Sequence, residues 1–116
     1  MPNVTIYHNP RCSKSRQALQ LLRDQHIEPE IIDYLKTPPA ADTLKHILKL
    51  LHLKPRELMR TKEAIYRENN IGSDSLSEEQ LIGMMVKHPI LIERPIVIHG
   101  NKAVIGRPPE KVLEIL

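Results

Sequence analysis

The chain has 116 residues with a formal net charge of +3, a single cysteine and only three aromatic side chains apart from histidine, all of them tyrosine. Its Lys and Arg residues are spread along the chain without interleaved aromatics, which gives no support to nucleic-acid binding. No apolar run approaches the roughly 18 residues of a membrane span. We therefore expect a cytoplasmic protein that binds neither nucleic acid nor membrane.

The six histidines have no metal-ligand spacing, either with each other or with the cysteine. The sequence thus predicts neither a metal site nor a bound cofactor. At this length the chain suits one domain, residues 1–116, with an aliphatic core.

The first predicted unit is strand, helix, strand. Val4–Tyr7 alternates as a strand, an amphipathic helix follows over Ser13–Gln25, and Ile31–Leu35 is a second strand. Short connections of this kind indicate two parallel strands joined by a right-handed crossover.

The cysteine lies between the first strand and the first helix. Unpaired N–H groups and the helix dipole favour the thiolate of Cys12, the reactive form of the side chain. The dipole is worth about 0.3–1 kcal/mol, whereas lowering a thiol pKa by about two units takes about 2.7 kcal/mol. A cationic neighbour is therefore needed, and His8 and Arg16 are the candidates. A lone cysteine is most often a small buried hydrophobic residue, but the polar and basic residues around Cys12 favour a functional thiol.

The middle of the chain, from about residue 40 to 88, is predicted to be helical. One helix has apolar residues at i, i+3, i+4 and i+7, and Pro55 begins a short helix. Ser77 and Gln80 form a capping box for a helix that runs to about Lys87. No flexible linker flanks this segment, so we interpret it as an insertion into the domain.

The last part of the chain predicts a β-hairpin and a helix. Ile96–His99 and Lys102–Ile105 flank a Gly100-Asn101 turn, and Glu110–Leu116 follows as a helix. The complete order is that of a thioredoxin/glutaredoxin-like α/β fold. It predicts a mixed four-stranded sheet flanked by helices, with the helical insertion between strands 2 and 3.

The hairpin register makes two geometric predictions. Positions equidistant from the turn face each other, so Arg94 faces Arg107. Opposed like charges are unfavourable in a sheet, which suggests a shared anion, although two solvated arginines splayed apart remain an equal alternative. Because thioredoxin-like folds commonly place a cis-proline opposite the reactive cysteine, we predict that Pro95 is cis.

Several motifs together resemble the arsenate reductases that use glutathione and glutaredoxin. The opening Ile-Tyr-His-Asn-Pro-x-Cys-x-x-Ser-Arg pattern, here Ile6–Arg16, resembles that family. So do Tyr34-Leu-Lys-Thr-Pro-Pro, Leu58-Met-Arg, His88-Pro-Ile-Leu-Ile-x-Arg-Pro-Ile-Val and Arg107-Pro-Pro. The resemblance covers essentially the whole chain in register.

The resemblance implies a set of roles. Cys12 would be the catalytic nucleophile, and His8 and Ser15 would favour its thiolate. The oxyanion-binding arginines would be Arg60, Arg94 and Arg107, of which Arg60 rests on the resemblance alone. Arsenate would be the substrate, glutathione the co-substrate and glutaredoxin the protein partner. A single thiol cannot resolve its own adduct through an internal disulfide, so any redox cycle needs an external thiol.

Two other functions remain open at this point. One is a monothiol oxidoreductase acting on glutathione mixed disulfides, which would suit the Cys-x-x-Ser spacing from Cys12 to Ser15 but not three arginines. The other is a non-enzymatic regulator of the same fold that binds RNA polymerase. Many such regulators carry Cys-x-x-Cys, and here Ser15 removes a dithiol switch.

Overall fold

The structure, a computed structural model, describes residues 3–116. The strands are β1 (Val4–His8), β2 (Glu30–Asp33), β3 (Ile96–His99) and β4 (Lys102–Ile105). The α-helices are α1 (Ser13–Asp24), α2 (Ala41–Leu51), α3 (Ala64–Glu68) and α4 (Glu78–Lys87). Short 3-10 helices cover Pro55–Leu58, Pro89–Leu91 and Pro109–Ile115.

The four strands form one mixed sheet in the order β2-β1-β3-β4. β1 pairs in parallel with β2 and antiparallel with β3, and β3 pairs antiparallel with β4. Ile96 lies opposite Ile105 and His99 opposite Lys102, which is the predicted hairpin register. The predicted thioredoxin/glutaredoxin-like fold class, a mixed sheet flanked by helices, is confirmed.

Several predicted boundaries differ from the structure by one residue, and the second strand and the final helix differ most. β2 ends at Asp33 because the backbone N–H groups of Lys36 and Thr37 both donate to the Asp33 carbonyl and turn the chain there. The final helix is a 3-10 helix, Pro109–Ile115, which is the common form of a short segment that starts at proline.

The described chain divides into two compact units. The first contains the residues up to Thr37 together with Arg94–Leu116, and the second is Pro38–Glu93. The second unit extends slightly beyond the predicted insertion of about 40–88 at both ends. The assignment of both units to a single domain stays a prediction.

The core of the first unit lies between one face of the sheet and two helical segments. α1 is amphipathic, and its buried residues Ala18, Leu19 and Leu22 pack with the sheet and the final 3-10 helix. The sheet and that 3-10 helix contribute the other buried members of this cluster, Val4, Ile6, Val97 and Val112. This packing fixes the beginning of α1 at the carboxyl end of β1.

The second unit is held together by apolar helix faces and by one arginine. α2 and α4 each bury an apolar face. The Arg56 guanidinium donates to the Tyr66 hydroxyl at 2.7 Å, to the Ile71 carbonyl at 2.7 Å and to the Ser73 carbonyl at 3.1 Å. These bonds tie the Pro55–Leu58 helix to α3 and to the segment that follows it. Within residues 3–116, no helix combines the length and apolar character needed to cross a membrane.

The capping box of α4 gives a stability prediction. Gln80 N–H donates to Ser77 Oγ at 3.1 Å, and Ser77 N–H donates to Gln80 Oε1 at 2.8 Å. Replacing Ser77 by Ala leaves the Gln80 N–H without its acceptor, so we expect the free energy of unfolding to fall by about 1 kcal/mol. Urea unfolding followed by circular dichroism measures this loss. Ser77→Asp, which keeps a capping oxygen, is expected to retain the stability, and an equal loss in both variants would contradict the capping argument.

Candidate active site

Cys12 lies at the N-cap position of α1, after a tight turn that begins where β1 ends. The backbone N–H of Cys12 donates to the Asn9 carbonyl at 3.0 Å, and the Cys12 carbonyl accepts the N–H of Arg16 at 3.0 Å. The Asn9 side chain stabilises the turn, because its Oδ1 accepts the Arg11 N–H at 3.0 Å. Cys12 has extended backbone angles and is only 9% exposed. The thiol is thus held at the helix N-terminus, where backbone N–H groups are available to it.

The β3–β4 hairpin brings two arginines to this thiol. Arg107 Nη2 donates to Cys12 Sγ at 3.7 Å, and Arg107 Nε donates to the Arg94 carbonyl at 2.9 Å. The Arg94 side chain also hydrogen-bonds the thiol. The predicted pairing of Arg94 with Arg107 is therefore confirmed, and both guanidinium groups converge on Cys12 instead of splaying apart into solvent.

Proline and glycine shape the strand ends that carry these arginines. The Arg94–Pro95 bond is cis, as predicted, and the Arg107–Pro108 bond is cis as well, which the sequence analysis did not anticipate. Gly106 N–H donates to the Pro95 carbonyl at 2.9 Å. A Cβ at Gly106 would lie 2.9 Å from Pro95 Cγ, so only glycine allows this approach without a shift.

The surroundings of Cys12 favour its thiolate. Burial raises the pKa of the Cys12 thiol. Hydrogen bonds from the Ser15 backbone N–H and the Arg94 side chain lower it, as do the Arg94 charge and the Lys14 backbone N–H. The lowering effects prevail, so the pKa of the thiol lies below its ordinary value and the thiolate is populated at lower pH.

His8 contacts Ser15 in the structure. His8 Nδ1 and Ser15 Oγ are 2.6 Å apart, and Ser15 Oγ also accepts the Asn9 N–H at 3.1 Å. Burial lowers the pKa of His8 below its usual range, although Asp33 opposes the shift. Burial thus works against the charged imidazole, and the hydrogen bond of His8 Nδ1 goes to Ser15 and not to the thiol.

The other cationic candidate, Arg16, is also directed elsewhere. Its Nη1 donates to the Pro10 carbonyl at 3.0 Å, so it stabilises the turn and does not hydrogen-bond the thiol. The positive charge at Cys12 comes from Arg94 and Arg107, which are far away in sequence. His8 and Ser15 are positioned to hold the turn that presents Cys12, and their predicted effect on the thiolate remains a prediction.

Arg60 lies in the second unit, between two carboxylates. Its Nε donates to Glu63 Oε2 at 3.2 Å and its Nη1 to Glu93 Oε1 at 2.8 Å, and all three side chains are partly buried. Neither glutamate was predicted as a partner of Arg60: Glu93 is 33 residues away and leaves no local signal, whereas the three-residue spacing to Glu63 was an available signal. The predicted role of Arg60 in binding an oxyanion stays a prediction.

The structure also shows one residue whose contribution the sequence analysis missed. Asn9 is 4% exposed and takes part in three hydrogen bonds of the turn. Its position directly before proline, where asparagine favours side-chain-to-backbone turns, was the available signal. Among residues 3–116, no group of histidine, cysteine and carboxylate side chains is arranged to hold a metal ion.

The arginine effect on the thiol can be measured. The rate at which iodoacetamide alkylates Cys12 follows the thiolate fraction, so its midpoint in pH reports the thiol pKa. Arg94→Ala removes a hydrogen bond and a positive charge, and we expect it to raise that midpoint by about one pH unit. Arg67→Ala, which removes an exposed arginine of α3, is the matched control and should leave the midpoint in place. Equal midpoints for both variants would contradict the conclusion that Arg94 lowers the pKa of the Cys12 thiol.

The fold and the site define the class of this protein. It has a thioredoxin-like sheet with one thiol at a helix N-terminus and two guanidinium groups directed at it, an arrangement suited to an anionic ligand. Residues 7–115 match the ArsC family, and the chain belongs to that family.

Similar proteins match this chain over almost its full length. The chain is 58% identical to the uncharacterized Escherichia coli (strain K12) protein YfgD over 114 residues, which cover 97% of this chain and 96% of the relative. It is 49% identical to an arsenate reductase of Haemophilus influenzae over 115 residues, covering 98% and 99% of the two chains. The solved structure of an arsenate reductase from Vibrio cholerae superimposes with a TM-score of 0.97 at 51% identity, covering 99% of this chain and 98% of the other.

Proposed function

We propose that this protein is an arsenate reductase that reduces arsenate to arsenite through the Cys12 thiolate, with glutathione and glutaredoxin as external reductants. The observation that carries the proposal is the contact between Arg107 Nη2 and Cys12 Sγ, because it places a guanidinium group beside a thiol whose pKa is lowered. Membership of the ArsC family and the names of its relatives support the choice of arsenate among oxyanions.

The first step is nucleophilic substitution at arsenic. The Cys12 thiolate forms an S–As bond while one As–OH bond breaks; that hydroxyl takes up a proton from solvent and leaves as water, and arsenic remains pentavalent. Arg94 and Arg107 stabilise the charge on the remaining oxygens with charge-assisted hydrogen bonds, which the guanidinium fork supplies in pairs. The α1 N-terminus offers further N–H donors to the same anion.

The reduction itself requires thiols from outside the chain. Glutathione displaces a second oxygen as water and forms a second S–As bond. Glutaredoxin then attacks the glutathione sulfur, so that a disulfide forms, the As–S electron pair stays on arsenic, and As(V) becomes As(III). Water releases arsenite from Cys12 and restores its thiol. Two thiols are oxidised to one disulfide for each arsenate reduced.

The structure around Cys12 supports the need for an external thiol. Ser15, the other end of the Cys-x-x-Ser segment, is completely buried and is hydrogen-bonded to His8 and to the Asn9 N–H. It offers no second reacting group to the Cys12 adduct. A reducing compartment with abundant glutathione suits such a cycle, so we propose the cytoplasm as its location.

A coupled assay tests the proposal. Arsenate-dependent NADPH oxidation is measured with glutathione reductase, glutathione and glutaredoxin, and each thiol component is then omitted in turn. We expect turnover with the complete mixture and its loss when either glutathione or glutaredoxin is absent. Full turnover without glutaredoxin would contradict its role. Activity on a glutathione mixed disulfide, with none on arsenate, would establish the monothiol oxidoreductase instead.

A further inference from the structure

A cavity of about 360 Å³ lies beside the turn that precedes Cys12. One wall is the turn itself, with Asn9, Pro10 and Arg11, and the other is the end of β2 and the residues after it, with Asp33, Leu35 and Lys36. The cavity belongs to the same compact unit as the thiol, and the turn that lines it leads directly into Cys12. It is large enough for one end of a small organic ligand.

Asp33 is the unusual member of this cavity. Its Oδ1 is withdrawn from solvent and has no hydrogen-bonding partner in the described part of the chain, and its side chain forms no salt bridge there. His8 is its neighbour across the parallel pair, but His8 Nδ1 is hydrogen-bonded to Ser15 Oγ and not to Asp33. Asp33 nevertheless lines the cavity and is only partly buried, so a donor placed in the cavity reaches the carboxylate through its other oxygen. Carboxylates in such positions are normally hydrogen-bonded, and a donor from outside the chain can supply that bond.

Two positively charged side chains line the same cavity, and they also lack ion-pair partners. Arg11 and Lys36 are both exposed, and neither forms a salt bridge within residues 3–116, with Asp33 or with any other carboxylate. The cavity therefore presents one carboxylate and two cations that form no ion pair with one another. A ligand that carries both a positive and a negative group at one end would satisfy both.

We propose that this cavity binds the zwitterionic end of the thiol co-substrate, with its α-ammonium group on Asp33 and its α-carboxylate on Arg11 and Lys36. In glutathione these two groups sit on one carbon of the γ-glutamyl residue, at the opposite end of the residue from the link to the cysteinyl thiol. Seating that end against the turn leaves the thiol free to react at Cys12. The identity of the ligand as glutathione rests on the proposed function, whereas its binding needs neither arsenate nor turnover.

Isothermal titration calorimetry with S-methylglutathione, which cannot react, tests the site directly. We expect Asp33→Asn to weaken binding at least tenfold. Asp24→Asn, which removes one exposed carboxylate from α1, is the matched control and should bind like the original protein. S-methylglutathione acetylated on its amino group should bind the unaltered protein at least tenfold more weakly. Undiminished binding to Asp33→Asn, or equal binding of the acetylated probe, would overturn the site.

A second variant and a kinetic arm separate this inference from the proposed function. The double variant Arg11→Glu, Lys36→Glu changes only exposed side chains and is expected to lose binding even if Asp33→Asn fails to fold.

In the arsenate assay, Asp33→Asn should raise the KM for glutathione about tenfold and leave the KM for arsenate unchanged. S-methylglutathione binding that depends on Asp33 in a protein without arsenate turnover would overturn the proposed function but support the site. Arsenate turnover by Asp33→Asn with an unchanged KM for glutathione would support the proposed function but overturn the site.

Discussion

Replacing Cys12 by Ser is expected to abolish arsenate-dependent turnover and to leave the fold intact. Serine keeps the size of the side chain and suits an N-cap position, but its hydroxyl does not ionise near neutral pH and has no nucleophilic thiolate. The chain has no other cysteine that could take over the reaction. NADPH oxidation in the coupled assay measures the loss, and circular dichroism with thermal unfolding measures the fold.

The matched control for this variant is Ser13→Ala, which changes a neighbouring exposed residue at the beginning of α1. It should retain turnover, since its hydroxyl has no assigned part in the chemistry. Substantial activity in Cys12→Ser, with the protein folded, would contradict covalent attack by this residue.

Replacing Arg107 by Ala is expected to lower kcat/KM for arsenate by a factor of about 30 to 1000, which corresponds to about 2–4 kcal/mol of transition-state stabilisation. The guanidinium contacts Cys12 Sγ and is held in place by the Arg94 carbonyl, so alanine removes a donor that is already oriented towards the reacting atoms. Arg107→Lys keeps the charge but loses the planar fork, and we expect an intermediate loss. The kcat/KM of both variants is measured by steady-state kinetics, first with the arsenate concentration varied and then with the glutathione concentration varied.

Arg67→Ala controls for the change in net charge. Arg67 is exposed on α3, and its removal changes the net charge by the same amount as Arg107→Ala. It should leave kcat/KM for arsenate almost unchanged. If Arg107→Ala and Arg67→Ala behave alike, the effect of Arg107 is not a direct contact with the oxyanion.

Most of the fold could be predicted because its signals are local. The alternation in β1, the amphipathic face of α1, the capping box at Ser77 and the Gly-Asn turn of the hairpin each determine the backbone within a few residues. The register of the hairpin followed from the position of its turn, and this gave the pairing of Arg94 with Arg107. The end of β2 was misplaced because the bonds from Lys36 and Thr37 to the Asp33 carbonyl have no clear sequence signature.

The site could be predicted only in part, since its electrostatics depend on contacts between distant residues. The position of Cys12 at a helix N-terminus follows from the local pattern. The source of the positive charge does not follow from that local pattern, because Arg107 is 95 residues from the thiol that it contacts. Arg94 and Arg107 entered the prediction through the hairpin register and the family resemblance. Sequence proximity suggested His8 and Arg16 as the cationic neighbours of the thiol. In the structure, their side chains hydrogen-bond the Ser15 hydroxyl and the Pro10 carbonyl. Likewise, nothing near Arg60 in sequence predicted its ion pair with Glu93.

The central claim is that the Cys12 thiolate binds arsenate covalently so that external thiols reduce it, and direct quantification of arsenite tests it best. Arsenate is incubated with the protein, glutathione, glutaredoxin, glutathione reductase and NADPH, and arsenite is separated by chromatography and measured by mass spectrometry of arsenic. We expect one arsenite for each NADPH consumed, and none above background with Cys12→Ser. No arsenite from the unaltered protein, with the low thiol pKa still found at Cys12, would mean that the site acts on a different substrate.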